Sequence, residues 1–138
     1  MIDEHQVTAL IPARGGSTSV ERKNLRALGG KPLVAWPIDV AHEVTAVDRV
    51  VVSTDDEDIA ACAQEYGAEV GERPSELATD EALVVDAVRY HLKEWRRKGK
   101  EASILVLLEP TCPLRSPGDV ARTLDRLVQT GCDSVATF

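Results

Sequence analysis

The sequence predicts an α/β domain with a mostly parallel sheet and helices on both faces. Short apolar runs alternate along the chain with longer amphipathic stretches, each run bounded by Gly, Pro or acidic residues. The runs also lack the polar alternation of a half-exposed sheet: Val50-Val51-Val52 and Ile104 to Leu108 are continuously apolar, which suits parallel strands buried on both faces.

Val7 to Ile11 is the first strand, and Pro12 ends it because proline cannot donate to a sheet ladder. Pro32 to about Glu43 reads as the first helix, with proline at an early helical position and a kink expected at Pro37. Arg49–Ser53 is the second strand. Asp58 to Tyr66 follows acidic residues that favour a helix start, and it stops at Gly67. A weak strand, Ala68–Val70, precedes a helix from Ala82 to Lys98 whose Val85, Val88, Leu92 and Trp95 recur at three- and four-residue intervals. Arg96-Arg97-Lys98 at its end complements the helix dipole. Ile104–Leu108 is the next strand. Ser116-Pro117-Gly118-Asp119 then supplies a hydroxyl cap, a proline at the first position and an acid three residues after the cap. That helix should run to Thr130 and stop at Gly131, burying Val120, Leu124, Leu127 and Val128, before a fifth strand at Ser134–Phe138. The β-α-β-α-β-α-β-α-β order predicts right-handed crossovers, with no internal repeat or linker.

Composition bounds the function. At 138 residues, 43% hydrophobic and 28% charged, the chain fits one domain with one core. A formal charge of −7 argues against a nucleic-acid or membrane-surface partner, and one Phe, two Trp and two Tyr argue against base stacking along a single strand. Cys62, Cys112 and Cys132 have no paired spacing, and His5, His42 and His91 are scattered, so neither a disulfide frame nor a zinc site is indicated. With no basic leader and no run approaching about 20 apolar residues, we expect a cytoplasmic protein.

Any cationic site must therefore be local. Leu10-Ile11-Pro12-Ala13-Arg14-Gly15-Gly16-Ser17, followed by Lys23-Asn24-Leu25, supplies one at a strand's carboxyl end, where open α/β sheets bind ligands. Gly15 and Gly16 let backbone N–H groups approach phosphate oxygens; Arg14 adds a planar fork and Lys23 a point charge. Neither G-x-x-x-x-G-K-[ST] nor G-x-G-x-x-G occurs, which argues against the common ATPase and dinucleotide sites. A plain glycine turn with solvated basic residues is the alternative. Asp55-Asp56-Glu57-Asp58 could ligate a hard cation, but helix-start acids are the favoured reading.

Together these residues resemble the signature of the acylneuraminate cytidylyltransferases, the CMP-sialic acid synthetases. Val51-Val52-Ser53-Thr54-Asp55 looks like the family's second strand and loop, and Arg73-Pro74-Ser75-Glu76-Leu77-Ala78-Thr79-Asp80 like its nucleotide-side segment. Pro110-Thr111-Cys112-Pro113-Leu114-Arg115, followed by a helix and Asp133-Ser134-Val135, looks like its substrate-side turn. Four motifs in order span nearly the whole chain. The resemblance implies a Rossmann-like nucleotidyltransferase sheet and the transfer of CMP from CTP to the anomeric hydroxyl of a sialic-acid-like keto-sugar acid, with pyrophosphate released and Mg²⁺ as cofactor. It implies that Arg14, Gly15, Gly16, Ser17 and Lys23 hold the triphosphate, Arg14 and Lys23 carrying the catalytic charge. Asn24 would contact ribose or the reacting phosphate, Arg73 and the backbone around Ala82 would read cytosine, and Glu109, Thr111 and Arg115 would face the sugar. Without the resemblance, Arg73 reads as a surface residue before Pro74. Cys112, where the family pattern commonly has serine, is expected to be a small packed residue.

The sequence departs from that pattern at four places. Thr18 stands where a second loop lysine is usual, Glu109 where glutamine is usual, and Val84 where a hydroxyl residue is frequent. Family catalytic domains also continue well past the strand expected at Phe138, their later portion giving acidic metal ligands, part of the sugar pocket and much of a homodimer contact. The expectation is the amino-terminal part of a larger synthetase, with a nucleotide-binding module lacking efficient turnover as the alternative.

Overall fold

The computed structural model describes residues 1–16, 23–112 and 115–136. Its sheet has four parallel strands: β1 (Val7–Pro12), β4 (Arg49–Thr54), β5 (Glu69–Glu72) and β6 (Ile104–Leu107) in the order β5-β4-β1-β6. Between β1 and β4 lie the two-stranded hairpin of β2 (Ala27–Leu28) and β3 (Lys31–Pro32) and the helix α1 (Ala35–Glu43). The remaining helices are α2 (Glu57–Glu65), α3 (Val84–Arg97) and α4 (Pro117–Thr130).

Alternation along the central strand divides the core. Val7, Ala9 and Ile11 join Val50 and Val52 in a cluster with Val34 and Ile38 around α1, Ile59 of α2, and Val120 and Leu124 of α4. Leu10 and Val51 point the other way, against Trp95, Val88 and Leu92 of α3. Both faces are covered, as the continuous apolar runs require.

Local chemistry fixes the helix ends. The Asp56 side chain accepts from the backbone N–H groups of Asp58 and Ile59, making it the cap of α2. Ser116 and Asp119 form a reciprocal capping box with Pro117 at the first position, and Gly131 closes α4 in the left-handed region at φ 67°. Arg97 pairs with Glu94 and Arg96 with Glu101, so the basic end of α3 is held by its own neighbours.

Four expectations are corrected. Pro32 lies in β3, not in a helix, because Gly29 (φ 60°) and Gly30 (φ 88°) close a tight hairpin just before it. Pro37 is then the third residue of α1, where backbone N–H groups lack helical acceptors anyway, so it has no hydrogen bond to break and no kink is required. Val85 is exposed, since α3 starts at Val84 and turns Ala87, His91 and Trp95 inward instead. No fifth strand forms at 134–136: Ser134 and Ala136 are exposed, while residues 137 and 138 lie outside the described residues.

Candidate functional site

The strand order creates a site before any side chain is considered. From β1 the chain steps one way to β4 and β5, then returns across the sheet to place β6 on the opposite side of β1. Loops leaving β1 and β6 therefore diverge at their carboxyl ends and leave a crevice, the position where open α/β sheets bind ligands. The cleft there is lined by Pro12, Arg14 and Gly16 after β1, by Glu109, Pro110 and Thr111 after β6, and by Lys23, Asn24, Arg73 and Val84.

Three cationic side chains from three separate segments thus face one cleft in a chain of net charge −7. Arg14 is paired with Asp80, from the segment between β5 and α3. Asn24 is buried, donating from Nδ2 to the Arg14 carbonyl at 3.0 Å and accepting from the Val34 N–H at its own carbonyl, also at 3.0 Å. It braces the loop from behind. Lys23 opens a short 3₁₀ turn, Lys23–Leu25, and is half-buried.

The loop after β1 is held from the β4 end by one backbone carbonyl and one carboxylate. Ala13 N–H donates to the Ser53 carbonyl at 2.8 Å, and Gly15 N–H donates to Asp55 Oδ1 at 2.8 Å. The Gly15 N–H that the sequence offered to phosphate is thus taken by a carboxylate in this structure. The helix-start reading holds for Asp56, which caps α2, and for Glu57 and Asp58 in its first turn, whereas Asp55 ties down the glycine loop. A Cβ at Gly15 would lie 2.7 Å from Asp56 Oδ2 and 2.8 Å from its Cβ, while at Gly16 it would meet none of the described residues within 4 Å. Gly15→Ala should therefore displace the α2 cap and cost about 1 kcal/mol or more, with Gly16→Ala within about 0.5 kcal/mol of the parent, in paired urea titrations.

Arg73 is not a surface residue. It is buried at the cleft wall, where Nε donates to Ser53 Oγ at 3.0 Å and its backbone N–H to the Thr54 carbonyl at 2.9 Å. Burial pulls its guanidinium below the usual arginine range, Asp55 opposes that shift and Arg14 adds to it. Behind it His91 sits 2.7 Å from the same hydroxyl, its pKa pushed down to about 4 by burial first and then by the Arg73 charge. Sequence reading missed Ser53 and His91. The available signal was that His91 stands three residues after Val88 and four before Trp95, on the inward stripe of α3.

The remaining sequence-predicted residues divide. Glu109 and Thr111 line the cleft, Glu109 with its side chain exposed. Arg115 does not line it; Nε donates to the Cys112 carbonyl at 3.0 Å and Nη2 to the Glu109 carbonyl at 3.2 Å, stapling the loop after β6. Ala82 sits half-buried in the turn before α3, its N–H on the Thr79 carbonyl, and Val84 takes the cleft position instead. Cys112 is exposed, not packed, because the loop after β6 buries Pro110 and turns Cys112 outward. Ser17 and Thr18 lie outside the described residues.

The chain is similar to known proteins in sequence and in fold. The chain is 34% identical over 129 residues to N-acylneuraminate cytidylyltransferase A of Danio rerio, a match covering 94% of this chain and 29% of the relative. It is 37% identical over 127 residues to CMP-N,N'-diacetyllegionaminic acid synthase of Legionella pneumophila, covering 91% and 55%. Its fold superposes with a TM-score of 0.77 and 25% identity on a CMP:2-keto-3-deoxy-manno-octonic acid synthetase solved with CTP, over 92% of this chain and 49% of that one. A 4-diphosphocytidyl-2C-methyl-D-erythritol synthase, at 17% identity and a TM-score of 0.71, shares the fold. The chain thus spans between about a third and somewhat over half of these relatives. With residues 8–137 matching the cytidylyltransferase family model, the crevice and its loops belong to a member of the cytidylyltransferase family.

Proposed function

We propose that this chain forms the CTP-binding part of an enzyme that transfers CMP to the anomeric hydroxyl of a sialic-acid-like keto-sugar acid. The hydroxyl oxygen attacks the α-phosphorus, an O–P bond forms, the bond to the β-phosphate oxygen breaks, and pyrophosphate leaves while the hydroxyl proton is lost to solvent. The observation that carries this reading is the convergence of Arg14, Lys23 and Arg73 on one crevice of an acidic chain. In-line transfer asks the protein mainly to align the attacking and leaving oxygens and to stabilise developing charge.

Lys23 and Arg14 take the triphosphate in this reading, with Arg14 exchanging Asp80 for phosphate oxygens when nucleotide enters. Gly15, Gly16 and Ser17 carry the loop backbone around the phosphates, and Asn24 holds that loop from beneath. Arg73, with the backbone near Ala82, reads cytosine, whose carbonyl and ring nitrogen accept where a guanidinium donates. Glu109, Thr111 and, through the loop it staples, Arg115 shape the sugar side. Among the described residues no group of three or more His, Cys, Asp and Glu is disposed to hold a metal ion. Mg²⁺ is therefore proposed as a companion of the triphosphate, which with one or two carboxylates is its usual ligand set, and no step is routed through it. A homodimer and a cytoplasmic location belong to the same reading. The described residues contain no helix long and apolar enough to cross a membrane.

Calorimetry tests the assignment. Lys23→Ala should weaken CTP binding by about 1.5–3 kcal/mol, the worth of a charge-assisted contact to phosphate. Arg73→Ala should lower the preference for CTP over UTP. Parent-like CTP affinity in the first variant removes Lys23 from the phosphate site, and an unchanged CTP:UTP ratio in the second removes Arg73 from the base.

A further inference from the structure

Arg73 is held from behind by two residues that never reach the cleft. Ser53 is 0% exposed, His91 3% and Arg73 7%, and neither Ser53 nor His91 is among the cleft-lining residues. Ser53 Oγ receives Arg73 Nε–H at 3.0 Å and lies 2.7 Å from His91 Nε2. Arginine can only donate, so the hydroxyl accepts on that side and has one proton to give. We assign His91 Nε2 as the acceptor of that proton, with the imidazole proton on Nδ1. Arg73 Nη2 adds a longer contact to the Ser53 carbonyl at 3.4 Å.

The imidazole itself has little room to swing. Its ring stacks on Trp95 at 5.8 Å and meets Tyr90 edge-on at 5.4 Å. On the remaining side Gly71 approaches so closely that a Cβ there would lie 3.0 Å from Cε1 and 3.2 Å from Nδ1. The charged groups acting on it are Arg73, from the segment after β5, and Glu94, on its own helix. A rigid aromatic cluster on α3 thus orients one hydroxyl of β4, and that hydroxyl orients the guanidinium. Nε and Nη2 are engaged on Ser53, and the remaining N–H donors define the edge offered to a ligand.

We propose that Ser53 and His91 are positioning residues that fix the Arg73 guanidinium in the orientation that discriminates cytosine from uracil. This rests on the reading of Arg73 as the base-recognising residue. Without the acceptor at position 91 the Ser53 hydroxyl loses its preferred rotamer, the Nε–H contact is no longer enforced, and the fork can turn to donate to either pyrimidine.

The test is a calorimetric comparison of CTP, UTP and inorganic triphosphate binding to the intact 138-residue chain and four variants. His91→Leu, which keeps bulk and removes the acceptor, should lower the CTP:UTP affinity ratio by about tenfold, one lost discriminating hydrogen bond, and leave triphosphate affinity unchanged. His91→Gln, whose amide oxygen can stand near the Nε2 position, should restore the ratio. Ser53→Ala should reproduce the His91→Leu result, and it decides the matter if His91→Leu fails to fold. Equal weakening of all three ligands in both His91→Leu and Ser53→Ala would mean a merely structural role and overturn the proposal. A parent-like ratio in those two variants, beside a lowered ratio in Arg73→Ala, overturns the positioning role alone. An unchanged ratio in Arg73→Ala itself overturns the base-recognition reading and the positioning role with it.

Discussion

Between pH 6.5 and pH 4 the chain should lose about 3 kcal/mol of folding stability through His91 alone. In the fold, burial and then the neighbouring Arg73 charge keep this imidazole neutral down to about 4, against an ordinary value of 6.5, with Glu94 opposing them weakly. The unfolded chain therefore binds an extra proton anywhere between those two values, and protonation draws molecules out of the folded state. Stability from this source is fully present above pH 6.5, falls as the pH drops and levels off below about 4. The carboxylates whose pKa values are lowered in the fold, among them Asp48 and Glu69, lose their contributions further down, near and below their ordinary carboxylate range. Urea titrations at half-unit steps separate the two. His91→Gln, which cannot titrate, should flatten the curve between pH 6.5 and about 4.5. A parent curve already flat there would mean that His91 is protonated in the fold or reaches water.

The two central strands were legible because they are buried on both faces, so their apolar runs are unbroken by the needs of solvent: Val7–Pro12 and Arg49–Thr54 lie within a residue of their expected bounds for that reason. Ile104–Leu107, at the edge of the sheet and only half-buried, matches as closely on its apolar run alone. Helices with chemical ends were equally plain: the box at Ser116 and Asp119 and the glycine at position 131 are local devices that act without tertiary help. Expectation failed where the neighbours decide. Pro32 is compatible with a helix start and with a strand after a tight turn, and Gly29-Gly30 settles the choice in favour of the turn. Ser134–Phe138 has the residue types of a strand, yet 134–136 pairs with no strand among the described residues, and strand formation depends on a partner more than on propensity.

At the site, the sequence marks the residues that line the crevice better than those that brace them. Arg14, Lys23, Asn24 and Glu109 sit in recognisable loops, and the strand order brings them to one crevice. Its supporting contacts join positions 20, 38, 40 and 66 residues apart, between Arg73 and Ser53, Ser53 and His91, Gly15 and Asp55, and Arg14 and Asp80. No local pattern announces such pairs. Ser53 reads as a strand residue and His91 as a stray histidine until the packing of α3 on β4 brings them within 2.7 Å.

Ile11→Ala should cost about 3 kcal/mol, and saturating CTP should return most of it. Ile11 is wholly buried in the central strand, opposite Val52, and removing most of such a side chain loses its transfer energy and leaves a cavity that the flanking strands cannot close. For a domain whose total stability is on the order of 5–15 kcal/mol, that is a large fraction of the whole. Val85→Ala, on the exposed face of α3, should fall within about 0.5 kcal/mol of the parent and serves as the control. A ligand that binds only the folded form, at a hundred times its dissociation constant, adds about 2.7 kcal/mol. In urea titrations CTP should therefore raise the midpoints of the parent and of Ile11→Ala by similar free energies, since Ile11 lies beneath the crevice and not in its lining. Lys23→Ala should gain much less at the same CTP concentration, because its affinity is the quantity that falls. Full stabilisation of Lys23→Ala would place the phosphates elsewhere on the chain, and failure of CTP to stabilise even the parent would mean that the crevice does not bind this nucleotide.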